Sequence, residues 1–340
     1  MNWSSVKNLL IAILIAANLF MLFNIARQDR TRNYMDEGEV AAAVELLAER
    51  GLIVPISCVP LRKFKAPIYE SFYSDAYHNS LAEAMTMMDV PLYLQPDNSL
   101  SGISDDGVYV SYDQEFGFVY NKNDKIDTSA YTDVTEENFK IMAQAGSELT
   151  ASQKKKLIRE ADAFLSLRAE DDDALAVSVT ESYHDPVSGY SYLLAYQTFD
   201  EYPVFSHWAV LVFDEEELAA AHGRWYFASV DNSYVAELQN QVNILFTDLE
   251  TLSGELNDPF SAALASDDEP AMPSQNLTAN SSLLNTAGSL PQVISMSNGY
   301  VIYWNSDKTA LYFIPAWQIA HIGGNTIVYN AANGTVYSRN

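Results

Sequence analysis

The chain has 340 residues, 48% of them hydrophobic, with 21 Tyr, 15 Phe and a formal charge of −26. That length and apolar content exclude a disordered chain and suit one large or two medium domains. The acidity excludes a nucleic-acid binder, which needs a basic face, and the single cysteine, Cys58, excludes an internal disulfide framework.

The first element is the only long apolar run, Leu9 to Ile25, bounded by Lys7 and Arg27. As a helix it rises roughly 26 Å at about 1.5 Å per residue, slightly less than a hydrocarbon core of about 30 Å. A signal peptide is the rival reading, with Lys7 as its charged start. No small-x-small cleavage site follows, because Ala26 is succeeded by RQDRTR, and no lipid-acceptor cysteine is near. The pattern therefore predicts a short tail over 1–8 and an uncleaved transmembrane helix over 9–26. Asn8, Ala12 and Ala16 fall at i, i+4 and i+8 of that helix, a small-residue face where a partner helix could approach. The plainer reading is that Ala is common in apolar segments. Arg27, Arg30 and Arg32 outnumber Lys7 and the α-amine across the span; by the positive-inside rule this leans towards a cytoplasmic body, but the margin is small and charge alone leaves the topology open.

Asp36 to Arg50 reads as a helix, with Asp36 and Glu39 in capping-box spacing, Val40, Val44 and Leu47 as its stripe, and Gly51 as its stop. LIVPISCVP over 52–60 reads as a short apolar strand, and Cys58 in it as a small buried hydrophobe with no basic helper beside it. Ser80 and Glu83 open a second helix whose Met85, Met87 and Met88 are core filler. GVYVSY and FGFVYN, separated by Asp113 to Glu115, predict a hairpin. Asn121 to Asp127 lacks the glycine and closing Glu of a calcium loop and reads as a turn.

Thr150 and Gln153 form another capping box, opening a helix to about Arg168 with Leu157, Ala161, Phe164 and Leu165 buried. Ser152 and Lys155 match S-x-x-K, but no SDN triplet occurs and Lys308-Thr309 is followed by Ala310, so a helix first turn explains Ser152 better. After the acidic run Glu170 to Asp173, four strands are predicted as a meander: ALAVSVTESY, GYSYLLAYQTF, PVFSHWAVLVF and AAHGRWYFAS, with Glu215 to Glu217 in a turn. His207 and His222 lie on neighbouring strands; with His78, His184 and His321 scattered and no H-x-x-x-H, structural histidines explain them better than a shared metal. Ser233 or Asn232 is read as the cap of a helix to about Leu252 carrying Val235, Leu238, Val242, Leu245 and Leu249. Ser253 to Pro291 reads as an exposed linker. QVISMSNGYVIYW, TALYFIPAWQIAHI and NTIVYNAANGTVY close the chain as strands, with turns at Asn298-Gly299 and Asn333-Gly334.

These elements predict an α+β protein: an N-terminal transmembrane helix, then two related subdomains of helices packed on antiparallel sheets, over 33–145 and 146–340 with 253–290 as a flexible insertion. No G-x-G-x-x-G follows a strand, which excludes a Rossmann domain. No catalytic, cofactor or metal constellation is displayed, although among 45 Asp and Glu a carboxylate pair for acid–base work is compatible with the composition.

Two ends of the chain carry a resemblance. Met1, Trp3 and Lys7 directly before the span, and the closing NGYVIYW, ALYFIPAWQIAHIGG and IVYNAANGTVY around Pro315-Ala316-Trp317 and Asn330, are similar to the YycI and YycH regulators of low-GC Gram-positive bacteria. The closing part also resembles PepSY-type modules, and PVFSHWAVLVF before a helix fits the same plan. The resemblance implies a non-enzymatic single-pass protein of the cell membrane, with the N-terminus cytoplasmic and the body extracytoplasmic, opposite to the charge count. It implies modulation of a cell-wall-sensing histidine kinase of a two-component system, together with a YycH-like sister protein, through the membrane helix and the body. The same closing motifs allow an alternative, a PepSY-like inhibitor or chaperone of an exported peptidase.

Overall fold

The computed structural model describes residues 15, 18, 20, 21, 33–72, 90–113, 115–122, 139, 146–166, 175–227, 232–257, 290–305 and 309–339. They divide into two compact units, one of Met1–Ala66, Glu237–Ser297 and Trp317–Asn340, the other of Pro67–Ala236 and Asn298–Ala316.

The larger unit is built from strands: β1 (Pro67–Phe72), β2 (Tyr93–Leu94), β3 (Leu100–Ile103), β4 (Tyr109–Tyr112), β5 (Gly117–Asn121), β6 (Leu175–His184), β7 (Tyr190–Phe199), β8 (Tyr202–Asp214), β9 (Glu217–Arg224) and β10 (Asn232–Val235). An antiparallel ladder runs β6-β7-β8-β9-β5-β4-β3-β2. The N-terminal half of β8 also starts a second path through β11 (Val293–Trp304) and β12 (Ala310–His321) to β1 and β10. The β8–β11 pair is parallel, joined at Tyr300 and Val204. Here Gly299 sits inside β11, where a Cβ would stand 2.4 Å from the Pro203 carbonyl oxygen. Asn298-Gly299 is therefore no turn; the glycine lets two backbones approach.

Central strands β7 and β8 are rich in Leu, Val and Ala and bury residues on both faces, as strands covered on both sides do. They join through Asp200-Glu201, whose φ values of 48° and 69° give the left-handed pair that a two-residue hairpin requires. Asp200 accepts a short hydrogen bond from the Tyr69 hydroxyl, and Phe199, Tyr300, Phe313 and Tyr226 pack edge-on or stacked behind it.

A helix, α2 (Ala151–Leu165), lies in this unit and follows α1 (Glu37–Glu49) of the other unit in chain order. Its capping box forms as the spacing predicts, with Thr150 Oγ1 accepting from Gln153 N–H and Gln153 Oε1 accepting from Thr150 N–H. Leu157, Ala161 and Leu165 are buried, and Trp225 Nε1–H donates to the Leu165 carbonyl at 3.0 Å, satisfying one orphan acceptor of the last turn.

The smaller unit holds α1 (Glu37–Glu49), α3 (Gln241–Asn257), the first part of β11, the second part of β12, β13 (Thr326–Asn330) and β14 (Val336–Arg339). Asp36 caps α1 by accepting from Gly38 and Glu39 N–H, Val40 and Leu47 are fully buried, and Gly51 takes φ +99° at the stop. Ile244, Leu245, Leu249 and Leu252 give α3 its buried stripe.

Several expectations need correction. The fold is not one of helices packed on antiparallel sheets: strands dominate, three α-helices are described, and the sheet is mixed. No helix among the described residues is long and apolar enough to cross a membrane. Residues 9–26 lie outside the described set except Ile15, Asn18, Phe20 and Met21, which are helical and exposed. The helix expected from Asn232 begins instead at Gln241, because Asn232–Val235 pairs with β1 from Glu70 to Pro67. Tyr234 and Val235 suit a strand, and the match of Val235 to a helical stripe is a coincidence of spacing. LIVPISCVP gives only a bridge at Ile53 and a 3-10 turn at Ile56–Cys58, since Pro55 and Pro60 remove ladder donors. The Ser80 helix, Asn123 to Asp127 of the proposed turn, and residues 258–289 of the linker lie outside the described residues.

Candidate binding site

The residues that the sequence singles out are not brought together. Asn8, Ala12 and Ala16 lie outside the described set. His207 packs against Phe116 and His222 against Trp208, with ring centroids 5.7 and 6.2 Å apart. Burial, with the charge of Arg224 adding to it, pushes the His207 imidazole down to about 3, so it is neutral in the folded protein at physiological pH. No group of three metal-ligating side chains occurs among the described residues. Cys58 Sγ donates to the Ile294 carbonyl at 3.1 Å, a local tie in the smaller unit. Ser152 and Lys155 line a cavity of about 670 Å³ on the solvent side of α2 with Lys156, Arg159, Asp162 and Val177. Its cations are largely matched: Lys156 pairs with Glu216 at 2.6 Å and Arg159 with Glu160 at 3.1 Å.

In the smaller unit α3 brings the buried Asp248 against two strands. His321 Nε2 lies 2.9 Å from one carboxylate oxygen, and the Tyr329 hydroxyl donates to the other at 2.6 Å. All three side chains are almost wholly buried. Burial, then the Asp248 charge, holds the Tyr329 phenol far above its ordinary range, so it remains a proton donor to the carboxylate. This network ties helix to sheet and satisfies a carboxylate that would otherwise be stranded.

A different cluster faces outward in the larger unit. Strand alternation turns Tyr69 and Ser71 of β1 towards the buried aromatic side and Glu70 towards the other. Glu70 stands directly opposite Tyr312 of β12 on one side and Asn232 of β10 on the other, which makes Tyr234 its diagonal neighbour. The Tyr312 hydroxyl donates to Glu70 Oε1 at 2.7 Å, and the ring of Tyr303 on β11 stacks on that of Tyr312 with centroids 5.6 Å apart and planes 27° apart. The hydrogen bond to Glu70, aided by burial, pushes the Tyr312 phenol up to about 12. Burial, then Glu70 and Tyr303, also raises Tyr234. Tyr234 is 48% exposed and Asn232, directly opposite Glu70, is exposed as well, so the face is open at β10.

Chemically this is a carboxylate ringed by three phenols. No described cation pairs with Glu70, and its Oε2 accepts from no described residue. Sequence reasoning missed the cluster because it places Tyr234 in a helix and weighs Tyr303 and Tyr312 only as strand formers. The available signal was a carboxylate in the otherwise apolar PIYESF, together with tyrosines in the strand-forming segments YVIYW and ALYF.

No family model matches the chain, and no match is found among curated proteins.

Proposed function

We propose that this chain is a non-enzymatic regulator at the cell membrane, with its body outside the cytoplasm. There it binds and modulates a cell-wall-sensing histidine kinase of a two-component system, acting with a YycH-like sister protein. The observation that carries the reading is the treatment of the closing motif, where the resemblance is most specific. Trp317 has no exposed surface, and its Nε1–H donates to the Gln239 carbonyl at 3.2 Å. Asn330 Oδ1 accepts from Ala332 N–H at 2.8 Å in the last turn, and Gly334 closes that turn at φ +77°. The shared residues thus serve as architecture, and a binding role falls to exposed sheet faces. Protease treatment of intact cells tests the topology: the body should be cut while a cytoplasmic protein survives. A body protected under conditions that cleave a known exterior domain would contradict the reading.

A further inference from the structure

We propose that the open face formed by Glu70, Tyr234, Tyr303 and Tyr312 receives a lysine ammonium group of a basic polypeptide partner, with Glu70 as its counter-ion and the tyrosine rings as its walls. The inference goes beyond the regulatory reading and does not depend on which protein is regulated.

Three independent features point to a cation. The first is the uncommitted carboxylate: Tyr312 fixes Glu70 through Oε1 at 2.7 Å, which leaves Oε2 held in place to accept an N–H. The second is the surrounding aromatic surface. The Tyr303–Tyr312 stack and the half-exposed Tyr234 present ring area beside the carboxylate, and an ammonium within about 6 Å of a ring centroid is attracted by the ring quadrupole. The Tyr312 phenol adds no charge of its own, since it ionises only near 12. The third is the field of the whole chain, whose formal charge of −26 draws cations in and repels anions.

A primary ammonium fits better than a quaternary one because Glu70 Oε2 offers a hydrogen-bond acceptor that only an N–H can use. Lysine also suits the strand surroundings, since its four-carbon stem can lie along the half-exposed Tyr234 ring while the head reaches Glu70.

The test is calorimetric titration of the purified full chain with pentalysine at physiological salt. Glu70→Gln keeps an acceptor for Tyr312 and removes the charge, and Tyr234→Leu removes a wall. Each should weaken binding by about tenfold. Glu45→Gln, which removes the same charge from the exposed face of α1, should change it by less than about twofold. Methylammonium should compete with pentalysine better than tetramethylammonium does. Absence of binding to the unaltered chain, or equal weakening by Glu70→Gln and Glu45→Gln, would overturn the proposal. Equal competition by the two small cations would overturn the role given to Glu70 Oε2.

Discussion

Replacing His207 with leucine should remove a defined part of the acid sensitivity of the fold. The ring is 5% exposed, packs on Phe116, and its nitrogens meet no well-placed partner among the described residues. Burial lowers the folded value to about 3, whereas an unfolded histidine titrates near 6.5. A depressed base binds its proton in the unfolded chain first, so its contribution to stability is complete above pH 6.5 and declines as pH falls from there towards 3. At pH 5 the unfolded ring lies about 1.5 pH units below its midpoint, and at about 1.4 kcal/mol per unit the loss is about 2 kcal/mol. Urea unfolding followed by tryptophan fluorescence at pH 7.5 and pH 5.0 isolates the effect. The unaltered chain should lose about 2 kcal/mol more than His207→Leu between the two values, because every other titrating group is common to both. At pH 7.5 the variant should be equal or more stable, since it replaces buried ring nitrogens that lack a well-placed hydrogen-bond partner with carbon. Equal losses in the two proteins would refute the reasoning.

Other substitutions probe separate features of the fold. Glu201→Gly relieves a side chain held at φ 69° in the β7–β8 turn and should raise stability by about 0.5–1 kcal/mol in the same unfolding assay. Gly299→Ala drives a Cβ against the Pro203 carbonyl and should cost at least about 2 kcal/mol, read as a lower urea midpoint. Tyr329→Phe deprives the buried Asp248 of one of the two side-chain hydrogen bonds it accepts among the described residues and should cost about 2 kcal/mol, with an unchanged far-ultraviolet circular dichroism spectrum.

Local signals in the sequence were readable where one interaction decides the outcome. The Thr150–Gln153 box, the Asp36 cap, the Gly51 stop and the hairpin of GVYVSY with FGFVYN all depend on residues within a few positions of each other. What distant strands decide was not readable. Asn232–Val235 becomes a strand because β1, more than 160 residues earlier in the chain, supplies its ladder. Asn298-Gly299 looks like a turn and is instead the contact where a parallel neighbour comes close. The balance of strand over helix followed from such pairings, which a pattern confined to one segment cannot register. The Glu70 cluster was hidden for the same reason: its members come from four strands, β1, β10, β11 and β12, and only the register places them side by side. The histidines carried a false signal of their own, since strand neighbours in sequence order packed against different aromatic partners.

The regulatory account is tested most directly by reconstituting the full chain with a cell-wall-sensing histidine kinase in lipid vesicles and measuring kinase autophosphorylation. The account predicts a rate changed by at least about twofold when the chain is present, and a return to the kinase's own rate when the body is removed by protease from the outer face. A rate identical with and without the chain, in vesicles shown to contain both proteins, would contradict it.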